Sequence, residues 1–126
     1  MEFTIKTKIK APISTVFSAW LDSKEHSNMT GGEAEVSDQV DGSFTAWDGY
    51  IWGKNLEIET DKRILQNWRT SEFSDDEKNS ILELLFTEVK GATEITLIHT
   101  NLPEHGEQYK QGWEDHYFSP MREYFK

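Results

Sequence analysis

Apolar and polar positions in this chain recur with two periods, two residues along most of its length and 3.6 in three segments. Residues 3–10 alternate strictly, with Phe3, Ile5, Thr7 and Ile9 on one face and Thr4, Lys6, Lys8 and Lys10 on the other. That pattern predicts a strand with one face in water. Ala11-Pro12 ends it, and Ile13, Val16, Phe17, Trp20 and Leu21 follow at the spacing of an amphipathic helix. Pro12 is tolerated in the first turn of such a helix. Asp22-Ser-Lys-Glu25 resembles a capping box with Asp22 as the cap, opening a second short helix that Thr30-Gly-Gly32 breaks.

From Glu33 the chain reads as strands joined by tight turns. A short strand at 33–37 precedes the Asp41-Gly42 turn and a strand at 43–47. Asp48-Gly49 is the stronger hairpin signal and leads into 50–60, where Gly53 marks a bulge or bend. Asp61-Lys62 turns into 63–69, and the polar run 71–79 is a loop. Leu82, Leu84 and Phe86 share one face of the next strand, and Lys90-Gly91 turns it into 94–101, where Ile95, Leu97 and His99 share a face. Closely spaced hairpins make these six strands antiparallel.

The last segment, 107–125, carries Tyr109, Trp113, His116, Tyr117, Pro120, Met121 and Tyr124 on one broad helical face. At a rise of ~1.5 Å per residue it spans ~28 Å and needs an apolar surface of that length to cover it. Gly112 sits mid-helix, where it costs ~1 kcal/mol against Ala, and a close approach to the sheet would offset that. Pro120 cannot donate to the His116 carbonyl and should bend the helix. Phe118 and Phe125 fall off the stripe, toward loops or another chain. Strands segregated from helices define an α+β domain spanning 1–126. Its expected architecture is a curved antiparallel sheet wrapped around the long C-terminal helix, with two short helices after the first strand. No internal repeat or linker interrupts it.

Composition narrows the chemistry. With 126 residues there is room for one core, and five Trp, seven Phe and four Tyr in a chain only 36% hydrophobic make that core aromatic. A formal charge of −10 argues against nucleic acid or an anionic membrane as partner and suits a basic protein instead. The absence of Cys excludes disulfides and thiolate chemistry. No signal peptide or membrane-spanning run is legible, so a cytoplasmic protein is expected.

Five short pieces carry a resemblance. They are Asp41-Gly42-Ser-Phe44, Asp48-Gly49 with Gly53, Asn67-Trp68-Arg69, Gly91-Ala-Thr-Glu94, and Gln111-Gly112-Trp113 with His116-Tyr117-Phe118. Together with the element order they resemble the helix-grip, START-like fold of the birch-pollen-allergen superfamily (SRPBCC). More narrowly, the chain is similar to the carboxy-terminal domain of activators of the heat-shock protein 90 ATPase. The resemblance implies a domain that takes a small hydrophobic ligand or regulates a heat-shock protein 90 homologue. The superfamily also holds enzymes, and fold alone does not choose among these.

Alternation points His99 inward, either as a hydrogen-bonding group in a pocket or as a core histidine satisfied by a neighbour, the commoner case. His116 has the same two readings and could share a cavity with it. The expected ligand-binding set is His99, His116, Trp113, Tyr117 and Met121 with Leu82, Leu84, Phe86, Ile95 and Leu97 opposite. Trp47, Trp52 and Trp113 would stack on a flat ligand or fill the core. Arg69 would bind a ligand carboxylate or pair with a surface acid. Glu57, Glu59, Glu83 and Glu94 read as solvation. His99, His105 and His116 lack metal-ligand spacing, no cofactor motif occurs, and Ser14, Ser18 and Ser37 have no nucleophile-elbow context. An enzyme is the least favoured class.

Overall fold

The computed structural model describes residues 1–126. Alternation and tight turns yield six strands: β1 Phe3–Ile9, β2 Ser43–Ala46, β3 Ile51–Glu59, β4 Arg63–Thr70, β5 Ser80–Val89 and β6 Ala92–Thr100. All pair antiparallel in the order β1-β6-β5-β4-β3-β2, so the first strand closes against the last, Phe3 opposite His99 and Ile9 opposite Thr93. Helices α1 (Ile13–Trp20) and α2 (Ser23–Thr30) intervene between β1 and β2, and the sheet grips a C-terminal helical segment. This is the α+β helix-grip arrangement that the pattern predicts. No helix is long and apolar enough to cross a membrane.

One predicted strand does not form. Segment 33–37 contributes a single bridge, Glu35 with Thr45. Three of its other amides are taken by side chains: Ala34 N–H donates to Ser27 Oγ at 2.9 Å, Val36 N–H to Ser23 Oγ at 2.9 Å and Glu33 N–H to Asp48 Oδ1 at 3.0 Å. The segment is laced to α2 and to the 47–50 turn, and the amides of Glu33, Ala34 and Val36 are lost to a ladder. Asp22 caps α2 as expected, accepting from Glu25 N–H at 2.9 Å. The reciprocal half of the box is missing, because the Glu25 carboxylate accepts from Tyr124 instead.

Gly53 is where two backbones come close. A Cβ there would lie 2.0 Å from the Asn67 carbonyl oxygen. The bulge itself falls two residues on, between Asn55 and Glu57. Asn55 is fully buried, and its Nδ2 donates to the Ser37 and Gln39 carbonyls at 2.8 and 3.0 Å, pinning the loop before β2. On the outer face, Glu57, Glu59 and Glu83 do more than solvate the sheet, since all three converge on the Arg63 guanidinium.

The C-terminal segment departs most from its pattern. It begins as α3 (Glu107–Trp113), widens into one π turn over Glu114–Phe118 and resumes as α4 (Ser119–Tyr124). Ser119 N–H bonds the Glu114 carbonyl, five residues back. Pro120 has no N–H for the His116 carbonyl, and its ring would strike that carbonyl in a regular turn. The wider turn accommodates both. It also shifts the helical phase by about one residue, so the buried face becomes Tyr109, Trp113, Tyr117, Phe118 and Met121. Phe118, expected off the stripe, is 1% exposed, whereas Tyr124, expected on it, is 41% exposed. His116 is exposed too.

This phase can be checked by truncation. Phe118→Ala should cost ~3–5 kcal/mol in a denaturant titration, as buried aromatic truncations do. Tyr124→Ala should cost under ~1 kcal/mol. The reverse ranking would restore the uninterrupted α-helical phase.

Candidate functional site

Two buried histidines tie the C-terminal segment to the rest of the fold. Trp113 Nε1–H donates to His99 Nδ1 at 3.1 Å, which leaves His99 Nε2–H to donate to Ser80 Oγ at 2.8 Å. Ser80 Oγ–H then donates to the Trp68 carbonyl at 2.8 Å. On the next turn Tyr117 O–H donates to His26 Nε2 at 3.1 Å, and His26 Nδ1–H donates to the Trp20 carbonyl at 2.8 Å. Each imidazole is therefore neutral, with one nitrogen donating and the other accepting. Burial pushes the His99 pKa down to about 3 and lowers that of His26, and it raises that of the Tyr117 hydroxyl.

His99 thus faces inward, as alternation requires, but it is a satisfied core histidine. His116 lies on the exposed side of the helix, so the two do not share a cavity as expected. Leu82, Leu84, Phe86, Ile95, Leu97 and Met121 are close-packed in the core and do not border the one large opening. Helix α1 covers β5 and β6, with Phe17 set edge-on against Phe86 at 5.3 Å, and that fills the space where a pocket was expected. Beneath Trp20 and Trp113, beside Leu82, a void of only about 10 Å³ remains.

The opening lies over the other half of the sheet. A cleft of about 460 Å³ separates the 47–50 turn, β3 and β4 from the C-terminal segment. Trp47 and Tyr50 form one wall, Trp68 the floor, and Tyr109, Trp113 and Tyr117 the helical side. Of the expected ligand set, Trp113, Tyr117 and His116 border it. Gly112 borders it as well, and a Cβ there would meet nothing within 4 Å. Close helix–sheet approach is therefore the wrong reason for this glycine. It leaves room in the cleft.

Trp47 is held under constraint. Its φ of 50°, with 60° at Asp48 and 90° at Gly49, places three successive residues in the left-handed region. For a bulky side chain that conformation stores strain. Gly32 packs against its ring, where a Cβ would lie 2.4 Å from the indole, and His116 meets it edge-on at 5.4 Å. Its Nε1–H is the one buried side-chain polar atom without a partner. Beside the cleft, hydroxyls gather: Tyr109 and Thr70 share a hydrogen bond of 2.7 Å, and Tyr50 O–H donates to the Glu72 carboxylate. Burial, and then the Glu72 carboxylate, push the Tyr50 pKa up, so this hydroxyl keeps its proton at neutral pH.

Arg69 serves neither role expected of it. Its guanidinium donates to the Ser74 and Glu77 carbonyls and to Asn79 Oδ1, each at 3.0 Å, and lies over Trp52 and Phe73. It shapes the loop that carries Glu72. Trp52 is on the outer face, 39% exposed, away from the cleft. No three His, Asp or Glu side chains converge as a metal site. Sequence reasoning missed Tyr50, His26 and the Thr70–Glu72 corner. The available signals were two aromatics flanking the Asp48-Gly49 turn and the His26, Met29, Thr30 spacing on one face of α2.

A helix-grip domain with an aromatic cleft between sheet and C-terminal helix is the class these features define. Residues 10–126 match the family described as Activator of Hsp90 ATPase homolog 1-like protein, and the chain belongs to it. It is similar to an HSP90 activator from Plasmodium falciparum, at 26% identity and a TM-score of 0.86 over 94% of this chain and 91% of that one. The fold is shared with the Aha1 dimer from Colwellia psychrerythraea, at 11% identity and a TM-score of 0.79 over 94% and 92% of the two chains. An uncharacterized protein of Schizosaccharomyces pombe is 25% identical over 116 residues, which are 91% of this chain and 34% of that protein. The chain thus spans about a third of that curated relative's length.

The buried relay makes stability depend on pH. The imidazole of residue 99 takes up a proton near pH 6.5 in the unfolded chain but only near pH 3 in the fold. Between these values the unfolded state binds more protons, so stability falls as pH falls. For full protonation the loss is on the order of 5 kcal/mol. His99→Gln keeps a donor and an acceptor but cannot titrate. In urea melts, the stability gap between wild type and this variant should narrow from about pH 7 to about pH 4. Equal gaps at both ends would refute the relay's role.

Proposed function

We propose that this domain binds a small, flat, largely apolar molecule in the cleft between β3–β4 and the C-terminal segment. The observation that carries the reading is Gly112, whose missing side chain leaves the aromatic cleft open. Apolar walls with a few hydroxyls at one corner are the usual make-up of a small-molecule site. The ligand set moves accordingly: Trp113, Tyr117 and His116 remain in it, Trp47, Tyr50, Trp68 and Tyr109 join it, and His99 acts from behind by fixing Trp113. In this reading the domain acts as one helix-grip unit in the cytoplasm and performs no chemistry on its ligand.

The test is to fill the cleft. Gly112→Leu places a side chain in open space and improves helix propensity, so the variant should be at least as stable as wild type. Nile red, a neutral apolar dye, should bind wild type with a rise in fluorescence and bind the variant at least about tenfold more weakly. Equal binding by both would place the dye elsewhere and remove the reading.

A second reading, regulation of a heat-shock protein 90 homologue, draws on the likeness to the Plasmodium activator over nearly the whole chain. A chain of charge −10 would meet a basic patch on such a partner, so the association should be weak and should fade as salt is raised. Titration of the chaperone at low and high salt measures this. Tight, salt-independent binding would overturn the electrostatic account, and no ATPase stimulation at saturating domain would remove the reading.

A further inference from the structure

The cleft's walls also carry information about the charge of what they would hold, an inference that rests on the ligand-binding reading above. Three Trp and three Tyr rings border the space together with His116, and no Lys or Arg does. Indole and phenol faces are electron-rich and attract cations, Trp most strongly, and the attraction grows when the site is dry. At the hydroxyl corner, Tyr50 O–H donates a hydrogen bond to Glu72, which leaves the phenol oxygen as an acceptor facing the Tyr109–Thr70 pair. The Glu72 carboxylate, on an exposed residue just outside the cleft lining, stands one hydrogen bond behind a wall residue, with no basic partner of its own. Arg69, the nearest cationic neighbour in sequence, is committed to the loop backbone and lies over Trp52 on the outer face. The one orphaned donor, Trp47 Nε1–H, is sealed from solvent and offers nothing to an anion in the cleft. A chain of charge −10 adds a long-range field of the same sign.

We infer that the cleft selects an organic cation, a flat aromatic amine or alkylammonium whose charge lies against the Trp and Tyr faces with Glu72 as its counter-charge. An anionic ligand of the same shape is rejected by the carboxylate and the ring faces, and a neutral one binds through burial alone.

Three tricyclic probes of nearly the same size separate these cases at neutral pH: 9-aminoacridine (a cation), acridone (neutral) and acridine-9-carboxylate (an anion). Titrated into wild type and followed by fluorescence, 9-aminoacridine should bind about tenfold more tightly than acridone, and the carboxylate more weakly than both. Glu72→Gln should reduce the cation's advantage to within about threefold and leave acridone unchanged. Gly112→Leu should abolish binding of all three. Equal affinity for 9-aminoacridine and acridone in wild type would overturn the charge preference and leave the cleft reading standing. Cation binding that survives Gly112→Leu would be surface attraction only and would overturn the inference too. Failure of all three probes to bind wild type would remove the cleft reading and the inference together.

Discussion

The hydrogen bond from Trp113 to His99 fixes where the C-terminal segment lies on the sheet. A buried neutral imidazole has one donor and one acceptor, and here each has a single partner. The indole reaches it from the helix, and Ser80 passes the chain on to the Trp68 carbonyl, so three hydrogen bonds link the helix to β6, β5 and β4. Sliding the helix by a turn would orphan several buried polar groups at ~1–3 kcal/mol each, whereas apolar packing alone tolerates small shifts. The Tyr117–His26–Trp20 relay repeats the device one turn later and binds the same helix to α1 and α2.

With those two turns pinned, the π turn and the cleft have one common origin. Trp113 and Tyr117 must both face inward at the relays, and Pro120 forbids a regular turn just beyond them. One widened turn satisfies both demands and brings Phe118 into the core. Upstream, the same anchoring leaves α3 across the cleft from β3 and β4. Gly112 then looks across a gap and not onto a strand. The cleft is space left over by the fixed register.

Its rim is built from segments that take little part in the sheet. Serines of α2 bind the amides of Ala34 and Val36, Asn55 holds the loop before β2, and Arg69 gathers the carbonyls of the 71–79 loop. Side chains thus set the positions of the 47–50 turn and of Glu72, which decides what the cleft presents. Trp47, with positive φ and an unpartnered N–H, stores strain at this rim.

Much of the architecture was legible in the sequence because it depends on local periodicity and turn chemistry. Strict alternation at 3–10 and along the Leu82 and Ile95 strands, tight turns at Asp61-Lys62 and Lys90-Gly91, and the order of helices and strands were enough for an antiparallel sheet gripping a final helix. The inward direction of His99 followed from alternation in the same way. Whether its nitrogens were free did not, because Ser80 and Trp113 reach it from other elements and no spacing records that. The failed strand at 33–37 has the right composition, but Ser23, Ser27 and Asp48 claim its amides from a distance in sequence. The helical wheel assigned Phe118 and Tyr124 to the wrong sides because it assumes one constant period, and a single π turn resets the phase. The cleft was misplaced for a related reason. A face pattern tells which residues point inward, but only the docking of α1 over β5 and β6 decides which half of the inner face is filled and which stays open.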